Sequence, residues 1–388
     1  MMFETEDLEQ ASPATVSRLG IIYTEATNIG WEVLVKVWFE QLSPHHKIFQ
    51  LSDREKHREF LLNSIRWLFP PTVFFIMHFC SQPIPISKME YCSSFLRLLE
   101  CFLELVDEFG ESSEKALEGC LLMALMWSVG GATDSKGREL FSEFMNRILC
   151  DDENLHLSNE YNRFLLSYPT YRNNVSKEFV KERTRKANID LNVHDMFDFF
   201  FDFDSLKWVQ WDRHELMKTS FEGIMPFQDI MIPTIDTIKQ ESICENLIRS
   251  KFHVLVTGNT ATGKSSGINK ILKSRLETSV FTNLTVNFTA RTKASQVQDV
   301  IENKLTKRRK GVLGPDVGQK LVIFIDDLNM PVKEEYGAQP PIEILRQWMD
   351  HSGWYCRTEK DFQQLIDIKF AAAMGLAGGH LLLIQIEL

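Results

Sequence analysis

The sequence predicts an α/β protein, with a parallel three-layer sheet at its C-terminal end and a mostly α-helical region before it. Three observations lead to this fold class. Apolar residues recur at helical spacing from about residue 29 to residue 148, and from residue 251 strand-like and helix-like patterns alternate. The third is an uninterrupted apolar segment at 321–325, which is typical of a strand with helices on both faces.

The helical region shows its periodicity most clearly around residue 100, where six apolar residues fall on one helix face. We expect Pro70-Pro71 and the prolines at 83–85 to separate helices, because proline cannot donate the helical hydrogen bond. Gly130-Gly131 predicts a helix end, and Thr133-Asp134 predicts the N-cap of the next helix. No catalytic arrangement is evident in this bundle. The six residues are Phe95, Leu98, Leu99, Phe102, Leu103 and Val106.

The region from about residue 151 to residue 228 is first polar and then strongly aromatic, with aromatic clusters at 196–203 and 208–211. Such a density could form a ligand surface. The favoured interpretation is a set of short strands or a hairpin that packs its aromatic rings onto a neighbouring domain. Stacking on nucleic-acid bases is disfavoured, because the residues between the rings are aspartates rather than basic residues.

From residue 251 the predicted elements follow one another in order. A short apolar strand at 252–257 leads into an amphipathic helix at 264–276. A strand with alternating apolar residues at 284–288 comes next, then a helix at 297–305 and the apolar strand at 321–325. This alternation implies a parallel sheet covered by helices on both faces.

The strand at 252–257 and the helix after it are joined by a sequence of the form G-x-x-x-x-G-K-[ST]. Its two glycines let the backbone turn tightly and bring its N–H groups to phosphate oxygens. The helix N-terminus that follows favours negative charge, the lysine supplies a cation for the β- and γ-phosphates, and the serine can bind Mg²⁺. The sequence therefore predicts a nucleotide-binding phosphate loop. Its residues are Gly258, Asn259, Thr260, Ala261, Thr262, Gly263, Lys264 and Ser265.

The apolar strand at 321–325 ends in two carboxylates, Asp326 and Asp327. Ligands of such sheets bind beyond the carboxyl ends of the strands, so Asp326 should emerge beside the phosphate loop. We predict that Ser265 and Asp326 hold Mg²⁺, Asp326 through water, and that Asp327 orients or deprotonates an attacking water. The alternative is that the two acids only start a solvated turn, and the phosphate loop at matching spacing favours the functional interpretation.

The composition limits the classes of partner. The chain has 388 residues, 44% of them hydrophobic, and a formal net charge of -10. Such a charge gives no global attraction for nucleic acid or anionic lipid, so we expect neither nucleic-acid nor membrane partners. Seven cysteines without a Cys-x-x-Cys pair indicate reduced thiols in a cytosolic compartment. The acidic N-terminus is no signal peptide, and the longest apolar runs, 67–80 and 120–129, are too short to span a bilayer.

Two basic features receive an ordinary structural interpretation. The run Lys307-Arg308-Arg309-Lys310 follows a predicted helix and precedes a Gly-Pro turn, so we interpret it as a solvated helix end rather than a nucleic-acid or localisation signal. Arg18 lies in a Ser/Thr-rich turn far from the phosphate loop in sequence. From the residues alone it is a surface residue.

Taken together, these residues resemble an AAA+ segment of a dynein heavy chain, of the axonemal type more than the cytoplasmic one. The resemblance extends from residue 1 to about residue 375 and is most specific at 325–331. The segments that carry it are 11–18, 66–71, 127–131, 232–237, 325–331, 336–341 and 353–355.

The resemblance implies a fold and a division of the chain. The fold is that of a P-loop NTPase (AAA+) domain preceded by a mostly α-helical lid-type subdomain. The implied parts are the end of a second AAA+ module at 1–28, its lid at 29–150, an aromatic-rich connection at 151–228, the third module at 229–375 and a divergent tail at 376–388.

The resemblance also implies cofactors, roles and partners. ATP or ADP with Mg²⁺ would occupy the third module, with residues 232–234 near the adenine, and this site would regulate rather than power the motor. Arg18 would be an arginine finger that acts on a neighbouring module. Partners would be nucleotide, other AAA+ modules of the ring and, through the full-length motor only, intermediate chains, light chains and microtubules. The location would be the cytoplasm, the cytoskeleton and the axoneme of cilia.

Two residues depart from the family pattern. Asp327 stands where many AAA+ ATPases have glutamate, so its carboxylate lies one methylene closer to the backbone. Gly375 falls near a position where a polar Asn would contact the γ-phosphate. The resemblance ends after Gly375, so we expect a fragment or truncated isoform with an apolar tail.

The alternative function is a non-hydrolysing structural or interaction fragment of the motor ring. A third hypothesis is a small-molecule kinase. Movement along microtubules is not expected of the chain alone.

Overall fold

The computed structural model describes residues 8, 11–23, 30–42, 54–106, 113–150, 195–218, 232–335 and 337–375. The helical half contains α1 (Pro13–Val16), α2 (Trp31–Gln41), α3 (Arg54–Phe79), α4 (Lys88–Leu105), α5 (Ser113–Ser128) and α6 (Ser135–Cys150). A hairpin of β1 (Phe199–Asp202) and β2 (Lys207–Gln210) follows. The remaining elements are α7 (Ile235–Arg249), β3 (Val254–Thr257), α8 (Lys264–Lys270), β4 (Phe281–Asn287), α9 (Ala294–Glu302), β5 (Thr306–Arg309), β6 (Val312–Gly314), β7 (Lys320–Asp326), α10 (Pro340–His351), β8 (Gly353–Tyr355), β9 (Phe362–Leu365) and β10 (Ile368–Met374).

The prediction that Pro70-Pro71 separates two helices is wrong, because both prolines lie inside α3. A proline inside a helix removes one backbone donor and crowds the preceding turn. Here packing outweighs that cost, since Phe69 and Val73 on either side of the prolines are 0% and 1% exposed. The Thr72 hydroxyl also donates to the carbonyl of Leu68 at 2.6 Å.

By length and composition, the segment Glu55–Phe79 of α3 could cross a membrane. However, 67% of its most apolar 18-residue stretch is buried inside the protein, which is typical of a core helix.

The other helix boundaries of this half follow the sequence signals. Helix α4 begins with a capping box, in which Ser87 and Glu90 bond each other's backbone N–H groups. Asp134 accepts a hydrogen bond from the N–H of Gly137 at 2.7 Å, as predicted for the N-cap before α6. Five of the six residues on the predicted face of α4 are buried within that helix, and the sixth, Val106, directly follows it.

The aromatic stretch forms the predicted hairpin, and its rings share one core with the helices. Phe201 packs directly on α5, where a Cβ on Gly119 would lie 2.5 Å from three atoms of its ring. Trp211 and Phe200 lie with their ring centroids 4.8 Å apart at the end of the hairpin. The hairpin is therefore part of the same hydrophobic core as the helices.

The second half is built on a four-stranded parallel sheet in the order β3-β10-β7-β4. Alternate residues of β7 belong to different cores. Leu321, Ile323 and Ile325 pack with residues of α9 and α10, whereas Val322 and Phe324 pack with residues of α7 and α8. The two cores lie on opposite faces because side chains alternate along a strand. The predicted three-layer α/β fold is therefore confirmed.

Helix α8 is shorter than the predicted helix at 264–276. Helix α8 ends at Lys270, and the residues that follow it, Ile271–Arg275, form a π-helix. Ile268, Ile271, Leu272 and Leu276 are all buried as expected. The amine of Lys270 donates to the buried carboxylate of Glu241 on α7 at 3.0 Å. This contact fixes the phosphate-loop helix against its neighbour.

The prediction of a solvated helix end at 307–310 is wrong. Helix α9 ends at Glu302, and residues Thr306–Arg309 form β5 in a second sheet of order β5-β6-β9-β8. In this sheet β5 and β6 form an antiparallel hairpin, and β6 pairs with β9 in parallel. Four polar residues carry no hydrophobic period, so the strand could not be recognised from its pattern.

Polar contacts join the helical half to the sheet half. The carboxylate of Glu100 on α4, 7% exposed, accepts a hydrogen bond from Trp38 Nε1 at 3.0 Å and pairs with Lys251 at 2.5 Å. The hydroxyl of Ser250 lies 3.2 Å from the sulfur of Cys101. Ile243 and Leu247 of α7 also pack against the helical core.

Candidate functional site

The phosphate loop connects the carboxyl end of β3 to the N-terminus of α8. Gly263 has φ +81° and Ala261 has φ +65°, so the loop makes two left-handed turns before the helix starts. Glycine adopts this conformation without a Cβ penalty, whereas alanine does so at a cost. No side chain caps α8 at Gly263, so the first N–H groups of the helix are available to an anion.

The side chain of Lys264 lies across this loop. Its amine donates to the carbonyl of Asn259 and to the hydroxyl of Thr262, the latter at 3.3 Å. A Cβ on Gly258 would lie 3.5 Å from Cδ of this lysine, an ordinary contact distance, so the side chain of Lys264 passes close to the backbone of Gly258. A bound phosphate would compete with both oxygens for the same cation.

The structure brings Ser265 and Asp326 together, although they are 61 residues apart. The Ser265 hydroxyl donates to Asp326 Oδ1 at 2.8 Å. The same oxygen accepts a hydrogen bond from the backbone N–H of Asp327 at 3.1 Å. This contact follows from the sheet order, since β7 is separated from β3 only by β10.

One hydroxyl and one carboxylate are oxygen ligands, which fit Mg²⁺ rather than zinc. Among the described residues no group of three or more His, Cys, Asp or Glu side chains could form a closed metal site. Magnesium is usually held by one or two protein ligands together with substrate phosphates and waters. The pair Ser265 and Asp326 therefore fits a magnesium–nucleotide site.

Asp327 is exposed and has φ +55°, a left-handed conformation that aspartate tolerates better than most residues. The chain turns sharply here, with the N–H of Leu328 donating to the carbonyl of Ala373 at 3.1 Å and that of Met330 to the carbonyl of Asp327 at 3.0 Å. Asp327 thus lies at the rim of the sheet, and its backbone N–H contacts Asp326.

Gln339 was missed by the sequence reasoning. It is 5% exposed, and its amide donates to the carbonyls of Asn329 (3.3 Å) and Pro331 (2.5 Å). It therefore holds the loop that follows Asp327. A glutamine directly before Pro340 at a helix start carried no signal of burial, so only the tertiary fold reveals this role.

The strand between β3 and β7 contributes no polar side chain at its carboxyl end. Met374, the last residue of β10, pairs with Thr257 at the start of the phosphate loop, and Gly375 follows it. No described atom lies within 4 Å of the position that a Cβ on Gly375 would occupy. A larger residue would therefore have space there.

The other predicted site residues lie apart from this cluster. Arg18 is exposed in the turn after α1, and the structure places no described residue of the phosphate loop in contact with it. Ile232 is 73% exposed. The side chain of Thr234 caps α7 by accepting a hydrogen bond from the backbone N–H of Thr237. Several predictions fall outside the described residues: the segments 1–7, 151–194 and 219–231, Tyr336, and the tail 376–388.

At the opposite end of the sheet, one half-buried and one buried basic side chain have lowered pKa values. Burial, with the neighbouring charges of Lys369 and Arg97, lowers the pKa of His253 to about 4, and its Nδ1 accepts a hydrogen bond from the N–H of Phe370 at 2.9 Å. Burial and Lys320 lower the pKa of Lys369 to about 8. Its amine donates to the carbonyls of Ile248 and Arg249 at the end of α7.

Comparison with known proteins gives two family matches. Residues 219–385 match the P-loop containing dynein motor region, and residues 61–213 match the dynein heavy chain AAA lid domain. The chain is similar to human dynein axonemal heavy chain 1, with 35% identity over 390 residues. It is also similar to dynein axonemal heavy chain 12 of mouse, with 36% identity over 388 residues. These alignments cover 98% of this chain but only 8% and 12% of the two relatives.

Proposed function

The chain belongs to the dynein heavy chain family, and on that premise we propose that it carries a regulatory ATP- or ADP-binding site of an axonemal dynein motor. Nucleotide would bind with Mg²⁺ between the phosphate loop and the end of β7. The observation that supports this most is the 2.8 Å contact between Ser265 and Asp326, which joins the two parts of the site.

Each residue has a task in nucleotide binding. The N–H groups from Gly258 to Gly263 and the start of α8 would bind phosphate oxygens. Lys264 would exchange its loop partners for the β- and γ-phosphates, and Ser265 and Asp326 would hold Mg²⁺, Asp326 through water. The ion, when bound, neutralises phosphate charge. Gln339 keeps the loop after Asp327 in one position.

Two features favour binding over rapid hydrolysis. The carboxylate proposed to orient water belongs to an aspartate, which reaches less far than glutamate. Gly375 offers no side chain that could contact the γ-phosphate from the strand beside the phosphate loop. Loss of one well-placed donor typically lowers kcat by about 10²–10³-fold. A slow site suits regulation, in which the bound state must persist.

The proposal places the chain in a larger assembly, since it spans about a tenth of the length of the relatives it matches. Its ring partners would be other AAA+ modules, with Arg18 acting as an arginine finger on a neighbouring one. Intermediate chains, light chains and microtubules would be reached through the full-length motor. The names of the relatives support a location in the ciliary axoneme, within the cytoskeleton.

A fluorescent ATP analogue tests the proposal directly. We expect binding to the full chain that strengthens with Mg²⁺ and is lost in Lys264→Ala. Lys273→Ala is the matched control, because Lys273 is exposed on the π-helix after α8 and lies outside the loop. Equal binding by Lys264→Ala and the control would refute the proposed site.

A second candidate is a structural or interaction segment of the motor ring that binds nucleotide without turning it over. Asp327 and Gly375 motivate it. Steady-state phosphate release that disappears in Asp327→Asn would exclude this candidate, whereas binding without release in both proteins would favour it.

A further inference from the structure

The sheet β5-β6-β9-β8 has two outer edges with different surroundings. At the β8 edge, Gln298 of α9 donates to the carbonyl of Tyr355 at 3.0 Å, so a side chain satisfies a backbone acceptor of this strand. Strand β5 pairs with β6 on one side, and no described strand lies on its other side. The outward N–H and C=O groups of β5 can therefore pair with an added strand.

This open edge is also strongly basic. Arg308 turns inward, where it donates to the carbonyl of Asp316 at 2.9 Å and lies 3.7 Å from the carboxylate of Asp367. The cations around it are exposed, and none of them forms an ion pair with a carboxylate in the described part of the chain. These four cations are Lys304, Lys307, Arg309 and Lys310.

The charges decide which occupant the edge can accept. A second copy of the chain is disfavoured, because two β5 strands side by side would oppose like charges. Apolar strands would leave the four cations unpaired. An acidic strand satisfies both features of the edge, since its backbone completes the hydrogen bonds and its carboxylates meet the cations.

We propose that the outer edge of β5 binds an extended acidic peptide segment as an added strand. The register of β5 against β6 shifts between Lys307 and Arg309, and such a bulge bends the strand. The paired segment is therefore no longer than β5 itself, which has four residues. The proposal is independent of nucleotide binding, because β5 contains no residue of the phosphate loop or the magnesium pair.

The test uses the full chain and a fluorescein-labelled peptide of alternating glutamate and threonine, followed by fluorescence polarisation. We expect binding that weakens as salt is added. The double variant Lys307→Glu/Arg309→Glu should bind about tenfold more weakly or worse, since two attractions become repulsions. Lys136→Glu/Lys273→Glu changes the net charge equally at exposed positions elsewhere and should bind as the unmodified chain does.

A second peptide separates strand pairing from simple charge attraction. It has the same sequence with alternate backbone amides methylated, which removes donors without changing charge, and we expect its binding to be lost. Equal binding of the methylated peptide would overturn the proposal, as would absence of binding by the first peptide. Displacement of that peptide by a single-stranded oligonucleotide of equal charge, at equal concentration, would also overturn it by identifying a general polyanion surface. The methylated peptide is tested on the unmodified chain, so this outcome does not depend on how the variants fold.

Discussion

The amine of Lys264 donates to the backbone carbonyl of Asn259, within the loop that would bind phosphate. The cation of Lys264 therefore contacts the backbone of the loop directly. Phosphate would replace a neutral carbonyl by a negatively charged oxygen at the same cation, which adds a Coulomb attraction between opposite charges. We therefore expect Lys264 to exchange its carbonyl partner for phosphate when nucleotide binds.

The first prediction concerns Asp326. In Asp326→Asn the amide oxygen still accepts the hydrogen bond from Ser265, so the fold is kept while the charge is removed. We expect the stimulation of nucleotide binding by Mg²⁺ to fall about 10- to 100-fold, the usual effect of losing an outer-shell partner of a metal. Titrations with and without Mg²⁺ measure it, with Asp316→Asn in an exposed turn as control. Unchanged magnesium dependence would remove Asp326 from the site.

The second prediction concerns Gly375. The space at its Cβ position admits an asparagine, which would supply the missing polar group beside the phosphate loop. We expect Gly375→Asn, alone or with Asp327→Glu, to raise steady-state phosphate release about tenfold or more. Gly375→Leu has the same branched arrangement of side-chain heavy atoms and no polar atom, so it should leave release unchanged. An equal rise in both variants would show that packing, not the amide, limits turnover.

The third prediction concerns packing in the helical half. In Gly119→Ala the new methyl group would lie 2.5 Å from the Phe201 ring, and the hairpin would have to shift. Overpacking of this kind costs about 1–3 kcal/mol in the free energy of unfolding. Urea denaturation should show this loss. Gly131→Ala is the matched control, because its nearest atoms would lie at ordinary contact distances of 3.6 and 3.7 Å and its stability should change little.

The fourth prediction concerns acid stability. The pKa of His253 is about 4 in the folded chain and has its ordinary value of 6.5 in the unfolded one. As the pH falls from 6.5 to about 4, the unfolded state gains a proton that the folded state does not, so stability decreases.

The variant His253→Asn keeps an acceptor for the N–H of Phe370 but does not titrate. Its urea midpoint should fall less over this pH range than that of the unmodified chain. The exposed His351→Asn should behave as the unmodified chain does. If the acid loss were the same in all three proteins, His253 would not be its source.

The sequence predicted most of the sheet half because local and global signals agree there. The apolar run at 321–325 and the phosphate-loop motif each indicate the same parallel sheet, and the contact between Ser265 and Asp326 follows from it. The prediction of a helix break at Pro70-Pro71 is wrong because helix propensity depends only on neighbouring residues in the chain. The burial of Phe69 and Val73, which keeps the helix intact, depends on the tertiary fold. The left-handed conformation of Asp327 could not be read from its residue type.

Strand β10 lies between β3 and β7, although it follows both in the chain. His253 and Phe370, which meet where β3 and β10 begin, are 117 residues apart. During synthesis the phosphate loop and Asp326 therefore both emerge from the ribosome before the strand that lies between β3 and β7. Until β10 is added, the edges of β3 and β7 that face it are open. Completion of the nucleotide site is thus a late event in the folding of this half, and a premature stop before residue 368 would leave its parts separated.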